Sequence, residues 1–359
     1  MRKRKLVRIS VDALRDYMVG VLRAAGCDAD NAKVAAEIFL EADMRGVSFQ
    51  GLDHMHTLIS GIRNGHVDPI GRPRIAREDA ACALIDGHRG PGQAAALLAT
   101  DVAIAKARKT GISCVGITNS SDIFMVGFYA ERIARAGLVG FVFTGAPPSV
   151  HPYGGRERIL GTNPFAIAFP TDEENPVLID MATSAVSNSF VRQAAYYGED
   201  LPKNVAVDAD GKPTRSAKAV RAGGSIAPLA EHKGFALGLA VGLLAGPLVG
   251  AQVGKAINGW RSDDKGPQGL YGHFLIAIDP SCFGDVQVFK ASIGAHLRDI
   301  RLSQKAGGVK EIRMPGARSF KMRERSLREG VQIYDAVWDN FAMLAKDLHV
   351  AVPAVERVT

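Results

Sequence analysis

An uncharged stretch, residues 234–254, constrains the fold of this chain more than any other feature of its sequence. It spans 21 positions, which is long enough for a helix that crosses a membrane. Its glycines recur at every fourth position, so a helix would carry them on one face and allow a second backbone to approach closely. Pro247, Gln252 and six glycines lower its hydropathy, and no second span accompanies it. We therefore predict a helix that is buried in protein and not in lipid.

The composition is typical of a globular protein, with 47% hydrophobic and 23% charged residues in a chain of 359. At about 150 residues per domain, this length predicts two domains. The formal net charge of +7 comes from basic residues concentrated in residues 1–8 and 298–328, and not from a nucleic-acid-binding module. A small anionic substrate or simple solubility explains this excess, and we expect no nucleic-acid partner and no membrane.

The sequence predicts a cytoplasmic location. Its basic start is followed by an apolar segment that is too short and too charged to act as an export signal. The four cysteines, at positions 27, 82, 114 and 282, lie far apart and lack the paired spacing of a zinc site or a disulfide framework. We interpret them as reduced thiols in the core, and we expect no metal.

Hydrophobic periodicity predicts a chain that begins with two amphipathic helices and then alternates short strands with helices. The first two helices are predicted at residues 11–25 and 32–44. The predicted strands are residues 82–86, 113–117, 139–144, 165–169, 177–180 and 273–279. The later helices are predicted at residues 93–109, 125–136, 285–302 and 319–348, and residues 261–269 are typical of a loop.

This order predicts an α/β protein with two lobes. A central lobe, residues 76–284, contains a mixed sheet and would hold the ligands. Residues 1–75 and 285–359 would form a helical lobe from the two ends of the chain. No long run of Ser, Pro or Gly separates these parts, so we expect the chain to cross between lobes without a flexible linker.

The signatures of the common nucleotide and hydrolase sites are missing from the sequence. No Gly-x-Gly-x-x-Gly closes a strand and opens a helix, so a Rossmann dinucleotide site is not expected. There is also no Walker loop, no His-Glu-x-x-His and no Gly-x-Ser-x-Gly. Polar clusters instead follow the predicted strands, where open α/β sheets bind their ligands. These clusters are residues 118–122, 153–155, 161–164 and 180–184.

Each cluster offers backbone N–H groups and short polar side chains that can hold a polar ligand. Among them, Ser120, Thr162 and Asn163 are the candidate substrate-binding residues. The same residue types also suit turns and helix caps, which is the simpler interpretation of any one cluster. Four such clusters together favour a binding site.

Five segments of the sequence match the pattern of a known family, in order, between about residue 8 and residue 350. They are Ala42-Asp-Met-Arg-Gly-Val47, Leu160-Gly-Thr-Asn-Pro-Phe-Ala-Ile-Ala-Phe-Pro170, Ile179-Asp-Met-Ala-Thr-Ser184, Lys233-Gly234 and Met314-Pro-Gly316. These segments resemble the malate/L-lactate dehydrogenase family of non-Rossmann type. That family also contains ureidoglycolate and sulfolactate dehydrogenases and reductases of piperideine- and pyrroline-2-carboxylate.

The resemblance implies a homodimer that binds NAD or NADP in a non-Rossmann α/β fold. It implies hydride transfer to or from a small 2-oxo, 2-hydroxy or 2-imino acid. The cofactor-binding positions that carry over are Asp180, Met181, Ala182, Lys233, Gly316, Ala317 and Arg318. The backbone at residues 180–182 suits a carboxamide, while Lys233 and Arg318 suit phosphates. Lys233 is equally typical of an ordinary surface lysine beside a helix.

The chain departs from the family at its catalytic positions. Where the family reads Asp-Ser-His-Gly-x-x-Arg, this chain has Gln50 in place of the histidine and His54 in place of the arginine that clamps a substrate carboxylate. Where the family reads Asn-Ser-x-His-Phe-Gly, this chain has Asp122 at the position usually assigned to proton transfer. Gln50, His54 and Asp122 are therefore the candidate catalytic residues.

Two classes of function remain open after these departures. Hydride transfer to a ketone needs a proton for the forming alkoxide, which glutamine cannot supply. Asp122 can supply it if burial raises its pKa well above the usual value of about 4, and His54 is the other candidate. The first class is therefore an NAD(P)-dependent oxidoreductase with a relocated acid. The second is a related protein that performs elimination, hydration or imine hydrolysis, or that binds without catalysis.

Overall fold

The computed structural model describes residues 4–47, 50–257 and 271–358. Its strands are β1 Leu6–Ile9, β2 Arg74–Glu78, β3 Cys82–Asp86, β4 Ile112–Ser120, β5 Val139–Thr144, β6 Phe165–Phe169, β7 Val177–Met181, β8 Ala206–Val207, β9 Ser225–Ile226, β10 Tyr271–Ile278, β11 Val331–Tyr334 and β12 Glu356–Val358. Its α-helices are α1 Val11–Ala24, α2 Ala29–Met44, α3 Leu52–Arg63, α4 Gly92–Thr110, α5 Val126–Arg135, α6 Asn188–Tyr197, α7 Ala217–Arg221, α8 His232–Ala245, α9 Val286–Leu302, α10 Ala317–Glu329 and α11 Asp335–Asp347. The loop predicted at residues 261–269 lies outside the described residues.

The central sheet is mixed, as predicted, and has the strand order β2-β3-β4-β10-β5-β6-β7. β3 and β4 are parallel, whereas the other neighbouring pairs are antiparallel. Helices α4 and α5 pack on the sheet through a core of alanines and branched side chains. Because β4, β5 and β7 run in the same direction, their carboxyl ends lie at one edge of the sheet, beside the amino end of β10. Three polar segments of the chain meet at this edge.

The two ends of the chain meet in a separate sheet of order β11-β1-β12. Around it, helices α1, α2, α3 and α11 bury an apolar core, in which the rings of Tyr17 and Trp338 lie 5.5 Å apart. Helix α9 also belongs to the carboxyl-terminal segment, but its Arg301 pairs with Glu173 in the loop between β6 and β7 at 2.6 Å. The lobe limits at residues 75, 76, 284 and 285 stay a prediction.

The prediction of one helix over residues 319–348 is wrong. Helix α10 ends before Gly330, whose φ of +89° breaks the helical path. Residues Val331 and Ile333 are fully buried and alternate with partly buried neighbours, which is the two-residue period of a strand. They pair with β1, and only then does α11 begin. The strand is too short for its period to stand out from the two helices that flank it.

The uncharged stretch is less buried than predicted. Helix α8 ends at Ala245, and its glycine face does pack closely: a Cβ at Gly238 would lie 2.8 Å from the Thr183 hydroxyl. Its other face exposes Leu237, Leu239 and Leu243 by 38–47%. The prediction that the whole stretch is buried is therefore wrong for the single chain. Residues 232–249 are long and apolar enough for one membrane span, with 39% of them buried within the protein.

The cysteines are also less buried than predicted. Cys27 is buried and Cys114 is partly buried, but Cys82 and Cys282 are exposed. Cys82 opens β3 beside the fully exposed edge strand β2, and Cys282 lies in a short turn after β10. The interpretation as core thiols is correct for Cys27 and wrong for the two exposed cysteines.

Candidate functional site

A cavity of about 570 Å³ opens at the polar edge of the central sheet. Its wall combines the ends of β4, β5 and β7, the start of β10, one side of α3 and the start of α10. The predicted site residues in this wall are Gln50, His54, Asp122, Thr162, Asp180, Met181, Ala182, Gly316 and Arg318. The fold thus brings together residues from four distant parts of the sequence.

Asp122 lies in the cavity wall, in a tight turn that follows β4. Its carboxylate accepts a hydrogen bond from the backbone N–H of Phe124 at 2.8 Å. Helix α5 begins only at Val126, so this bond closes the turn and does not cap the helix. Burial raises the pKa of Asp122 to about 6, against the opposing effect of the N–H groups of Ile123 and Phe124. The carboxyl group therefore titrates close to neutral pH, in a position open to a ligand.

The turn around Asp122 is strained and needs support from its surroundings. Phe124 has a φ of +60°, which is unfavourable for an aromatic residue. Its ring packs against Phe39 of α2 at 4.7 Å between centroids and against His54 of α3 at 5.6 Å. The hydroxyl of buried Tyr129 donates a hydrogen bond to the Ile123 carbonyl at 2.9 Å. Side chains from three helices thus hold the turn.

Gln50 and His54 line the cavity from the side of α3, with Gln50 just before the helix. The helix lacks a side-chain cap at Gly51, and the buried carboxylate of Asp43 accepts the Leu52 N–H at 2.8 Å instead. A Cβ at Gly51 would lie 2.2 Å from that carboxylate, so only glycine fits there. Asp43 therefore fixes the start of α3 and the direction of its first turn.

A second contact fixes the same turn of α3. Asp53, next to His54, forms an ion pair with Arg192 of α6. Helix α6 begins with Asn188 and Ser189, which also line the cavity. The Asp53–Arg192 pair therefore links two sides of the cavity wall.

Asp180 forms the wall near the end of β7 and is open to the cavity on one side. Its carboxylate accepts the N–H of Gly127 at 3.1 Å, at the amino end of α5, where the helix dipole favours negative charge. A Cβ at Gly127 would lie 2.5 Å from the same oxygen, so glycine is needed for this approach. Desolvation of its carboxylate by the surrounding wall raises the pKa of Asp180 to about 6, although the residue is exposed to the cavity. The N–H of Gly127 and the positive charge of Arg45 oppose the rise.

Arg45 is the centre of a buried ion cluster close to Asp180. Its guanidinium group lies 2.6 Å from Glu41 and 2.6 Å from Glu131. It stacks on the ring of Phe320 of α10, with 5.2 Å between the guanidinium carbon and the ring centroid. Helices α2, α5 and α10 are joined by these contacts behind the wall.

The segment from Gly316 to Arg318 closes the other side of the cavity. Gly316 has a φ of +87°, and a Cβ there would lie 2.9 Å from the Leu178 side chain, so the position requires glycine. Helix α10 begins at the next residue, Ala317, and Arg318 in its first turn lines the cavity. Ala317 itself is not among the described wall residues. Lys233 is exposed at the start of α8 and also lies outside this wall.

The three candidate substrate-binding residues lie in different surroundings. Thr162 is in the cavity wall. Asn163 is buried beside it, where its side chain accepts the Ala146 N–H at 3.2 Å and donates to the Gly238 carbonyl at 2.8 Å. Ser120 is 2% exposed and donates to the Ser121 carbonyl at 3.0 Å. Asn163 and Ser120 thus support the wall in the described structure, and their contact with substrate stays a prediction.

Several wall residues were missed by the sequence analysis. Thr144 is the last residue of a correctly predicted strand, and Tyr271 opens β10 two residues before the predicted start. Arg313 directly precedes the Met314-Pro-Gly316 segment and lines the same cavity as Arg318, while its guanidinium group pairs with Glu311 at 3.4 Å. Position beside a predicted strand end or a matching segment was the signal that would have identified these residues.

Comparisons with known proteins show the family to which the chain belongs. A sequence profile described as malate/L-lactate dehydrogenase matches residues 9–342. A malate dehydrogenase of Pyrococcus abyssi is 35% identical over 351 residues, which are 96% of each chain. A Δ1-pyrroline-2-carboxylate/Δ1-piperideine-2-carboxylate reductase of Pseudomonas putida is 32% identical over 336 residues, covering 91% of this chain and 94% of the reductase.

A solved structure is similar over the full length of the fold. The malate dehydrogenase of Entamoeba histolytica superposes with a TM-score of 0.91 at 28% identity, over 98% of this chain and all of the other. The sequence match and the structural match therefore both extend along nearly the whole chain. The protein belongs to the malate/L-lactate dehydrogenase family of oxidoreductases.

Proposed function

We propose that this protein is an NAD(P)-dependent oxidoreductase in which Asp122 transfers the proton. The substrate pair would be a small 2-oxo or 2-imino acid and its 2-hydroxy or amino counterpart. One observation supports this most strongly: a carboxyl group with a pKa of about 6 lies in the same cavity as residues 180–182 of one segment and Gly316 and Arg318 of another. We call these two segments the cofactor wall, and Gln50, His54 and Asp122 the substrate wall.

The cofactor wall has groups that suit a dinucleotide. Backbone amides at residues 180–182 can bond a carboxamide, and the guanidinium group of Arg318 can pair with a phosphate. When bound, the nicotinamide would supply or accept the hydride. The cofactor wall would orient it, and Asp180 would stay bonded to Gly127 behind that wall.

Proton transfer by Asp122 completes the reaction in either direction. Hydride addition to a carbonyl carbon leaves an alkoxide that must be protonated, and the protonated Asp122 can donate that proton. In the reverse direction, its carboxylate can accept the hydroxyl proton. Burial supplies the raised pKa that the sequence analysis required for the donor role, so Asp122 serves both directions near neutral pH.

The substrate wall favours a different carboxylate contact from the one that the family pattern implies. His54 stands where the family pattern has arginine, and a histidine lacks the paired N–H groups of a guanidinium fork. Arg313, which lines the same cavity, would attract an anionic substrate instead. These residues therefore favour a small acid as substrate, and they do not identify the rest of the substrate molecule.

Binding and turnover test the proposal. Fluorescence titration with NADH and NADPH should show saturable binding of at least one of them below millimolar concentration. Oxaloacetate and Δ1-piperideine-2-carboxylate should then be compared as oxidants of the bound nucleotide. If the protein binds neither nucleotide, the second class of function, a non-redox enzyme or a binding protein, replaces this proposal.

We further propose that the protein is a homodimer in which a second copy covers the exposed leucines of α8. Leu237, Leu239 and Leu243 form an apolar strip on this helix. Sedimentation should show a dimer in the absence of detergent, and Leu243→Glu should shift it toward the monomer because a charge is costly in an apolar interface. A wild-type protein that sediments as a monomer would contradict this proposal.

A further inference from the structure

His273 is a buried histidine that the proposed reaction does not use. It lies near the start of β10, in the middle of the central sheet, and is 0% exposed. One ring nitrogen, Nδ1, lies 2.7 Å from the hydroxyl oxygen of Thr144 at the end of β5. The other, Nε2, lies 3.0 Å from the carbonyl oxygen of Ser121 at the end of β4. The ring thus spans β10's two neighbouring strands.

The partners of the ring determine its hydrogen bonds. The Ser121 carbonyl can only accept, so Nε2 must carry a proton and donate to it. Burial lowers the pKa of His273 to about 4, so the ring is neutral near pH 7 and carries only that one proton. Nδ1 therefore accepts a hydrogen bond from the Thr144 hydroxyl at 2.7 Å, and the Gly145 carbonyl, 3.0 Å from the same hydroxyl, is the more distant acceptor. Both ring nitrogens are satisfied in this single tautomer.

One partner of the ring lines the cavity, and the other directly precedes a residue that lines it. Ser121 directly precedes Asp122, and its hydroxyl also binds the Gly90 carbonyl and the Gly92 N–H at 2.9 and 2.6 Å. Thr144 is in the cavity wall, as is Tyr271, whose ring stacks on His273 at an angle of 14°. The imidazole therefore connects, through its two hydrogen bonds, the start of the Asp122 turn to the end of β5 in the cavity wall.

We infer that His273 is a positioning residue, which fixes the Ser121 carbonyl and thereby keeps the carboxyl group of Asp122 in its buried place in the cavity wall. This inference rests on the proposed role of Asp122 in proton transfer. The strained φ of Phe124 makes such a tie necessary, because a turn with an unfavourable backbone relaxes when its supports are removed. Relaxation would expose Asp122 to water and lower its pKa.

Other charged and titratable groups also face the turn. Tyr129 of α5 holds the Ile123 carbonyl, and His54 of α3 packs on Phe124. Asp180 shares the cavity from β7. These groups stay in place in variants of His273, so a change in the pKa of Asp122 in such a variant reports on the Ser121 contact.

The pKa of Asp122 can be measured without a substrate, from the stability difference between each protein and its Asp122→Asn version. Asparagine keeps the turn because its side-chain oxygen also accepts the Phe124 N–H. An aspartate whose folded pKa of about 6 exceeds its unfolded value of about 4 stabilises the fold fully below pH 4 and loses this effect as pH rises to 6. The difference in urea midpoint between each protein and its Asp122→Asn version should therefore grow as the pH rises from 4 and become constant near pH 6. We call the pH at which this difference becomes constant the levelling point.

His273→Asn should move this levelling point down by about half a pH unit or more, because the shorter amide cannot reach the Ser121 carbonyl. His273→Gln is the matched control, since its amide N–H extends to the position of Nε2 and should restore the wild-type value. An unchanged levelling point in the Asn variant, or an equal shift in the Gln variant, would overturn the inference. A merely structural histidine would lower the urea midpoints at every pH alike.

A second pair of variants decides the question if His273→Asn does not fold. Thr144→Val removes the hydroxyl that fixes Nδ1, and Thr144→Ser keeps it. The Val variant should lower the levelling point and the Ser variant should not, and the absence of that difference would overturn the inference.

Turnover separates this inference from the proposed function. His273→Asn should reduce kcat for nucleotide oxidation about tenfold, with the KM for the nucleotide unchanged, since misplacement of an acid slows proton transfer. If Asp122→Asn keeps full turnover, the proposed proton donor is wrong, whatever the stability titration shows. If Asp122→Asn is inactive and His273→Asn keeps the wild-type levelling point, only the role of His273 is wrong.

Discussion

The two walls of the cavity are built in different ways. The cofactor wall comes from two short segments at the end of β7 and the start of α10, and it keeps the residues of the family pattern. The substrate wall consists of side chains from separate elements, and three of its positions have changed. Side chains can be exchanged without moving the backbone, so the same fold can retain its cofactor while its acid and its substrate contacts change.

The sharpest test of this difference is Asp122→Asn. We expect turnover to fall about a hundredfold or more, the usual contribution of a positioned acid or base, while nucleotide affinity stays within about twofold. Steady-state kinetics and fluorescence titration measure the two quantities. His54→Gln, assayed beside it, is the matched change on the same wall. If Asp122→Asn is fully active and His54→Gln is not, the proton-transfer role belongs to His54.

On the cofactor wall, Arg318→Ala should weaken nucleotide binding by about 1.5–3 kcal/mol, the usual cost of losing a hydrogen bond to a charged group. Lys233→Ala is the comparison, because Lys233 is exposed and lies outside the described wall. We expect it to cost less than about 0.5 kcal/mol. A loss in Lys233→Ala as large as in Arg318→Ala would show that the start of α8 contributes to the nucleotide site.

The pH dependence of turnover should report the titration of Asp122. Since its pKa is raised to about 6, the protonated acid becomes scarcer above that pH. Reduction should therefore slow by up to about tenfold per pH unit between pH 7 and 8, whereas oxidation should gain speed from pH 5 to 7. Initial rates in both directions measure this, and Asp122→Asn should abolish the dependence. A flat profile in the wild type would exclude Asp122 as the group that limits the rate.

Gly127→Ala tests the support behind the cofactor wall. Its Cβ would lie 2.5 Å from the carboxylate of Asp180, so either that side chain or α5 must move. We expect a loss of about 1–3 kcal/mol in the free energy of unfolding, the usual cost of overpacking. Urea denaturation measures it. Gly127 is helical and has no positive φ, so backbone strain does not contribute to the cost of its Cβ. Gly137→Ala, where no atom lies within 4 Å but φ is +86°, gives the cost of backbone strain alone for comparison. A loss below about 0.5 kcal/mol in Gly127→Ala would contradict the close contact with Asp180.

Local patterns predicted most of the central sheet and helix α9, but they missed strand β11 within the last helical stretch. The strands at residues 82–86, 139–144 and 165–169 have the predicted bounds because each is a compact apolar run between polar segments. β11 was missed because its partner, β1, lies more than 300 residues earlier, and pairing over that distance leaves no local signal. The exposed face of α8 was missed because residue types show only that a helix is apolar. They do not show which part of the protein, if any, covers it.

The sequence by itself determined the polar edge of the sheet, through the periodicity of its strands. The fold family and the three candidate catalytic positions came from the resemblance of short segments to the family pattern. Only the tertiary structure decided that Asp122 is buried enough to titrate near pH 6, that Lys233 lies away from the cavity wall, and that His273 joins the ends of β4 and β5. Those properties depend on desolvation and on contacts between distant residues, which no local stretch of sequence contains.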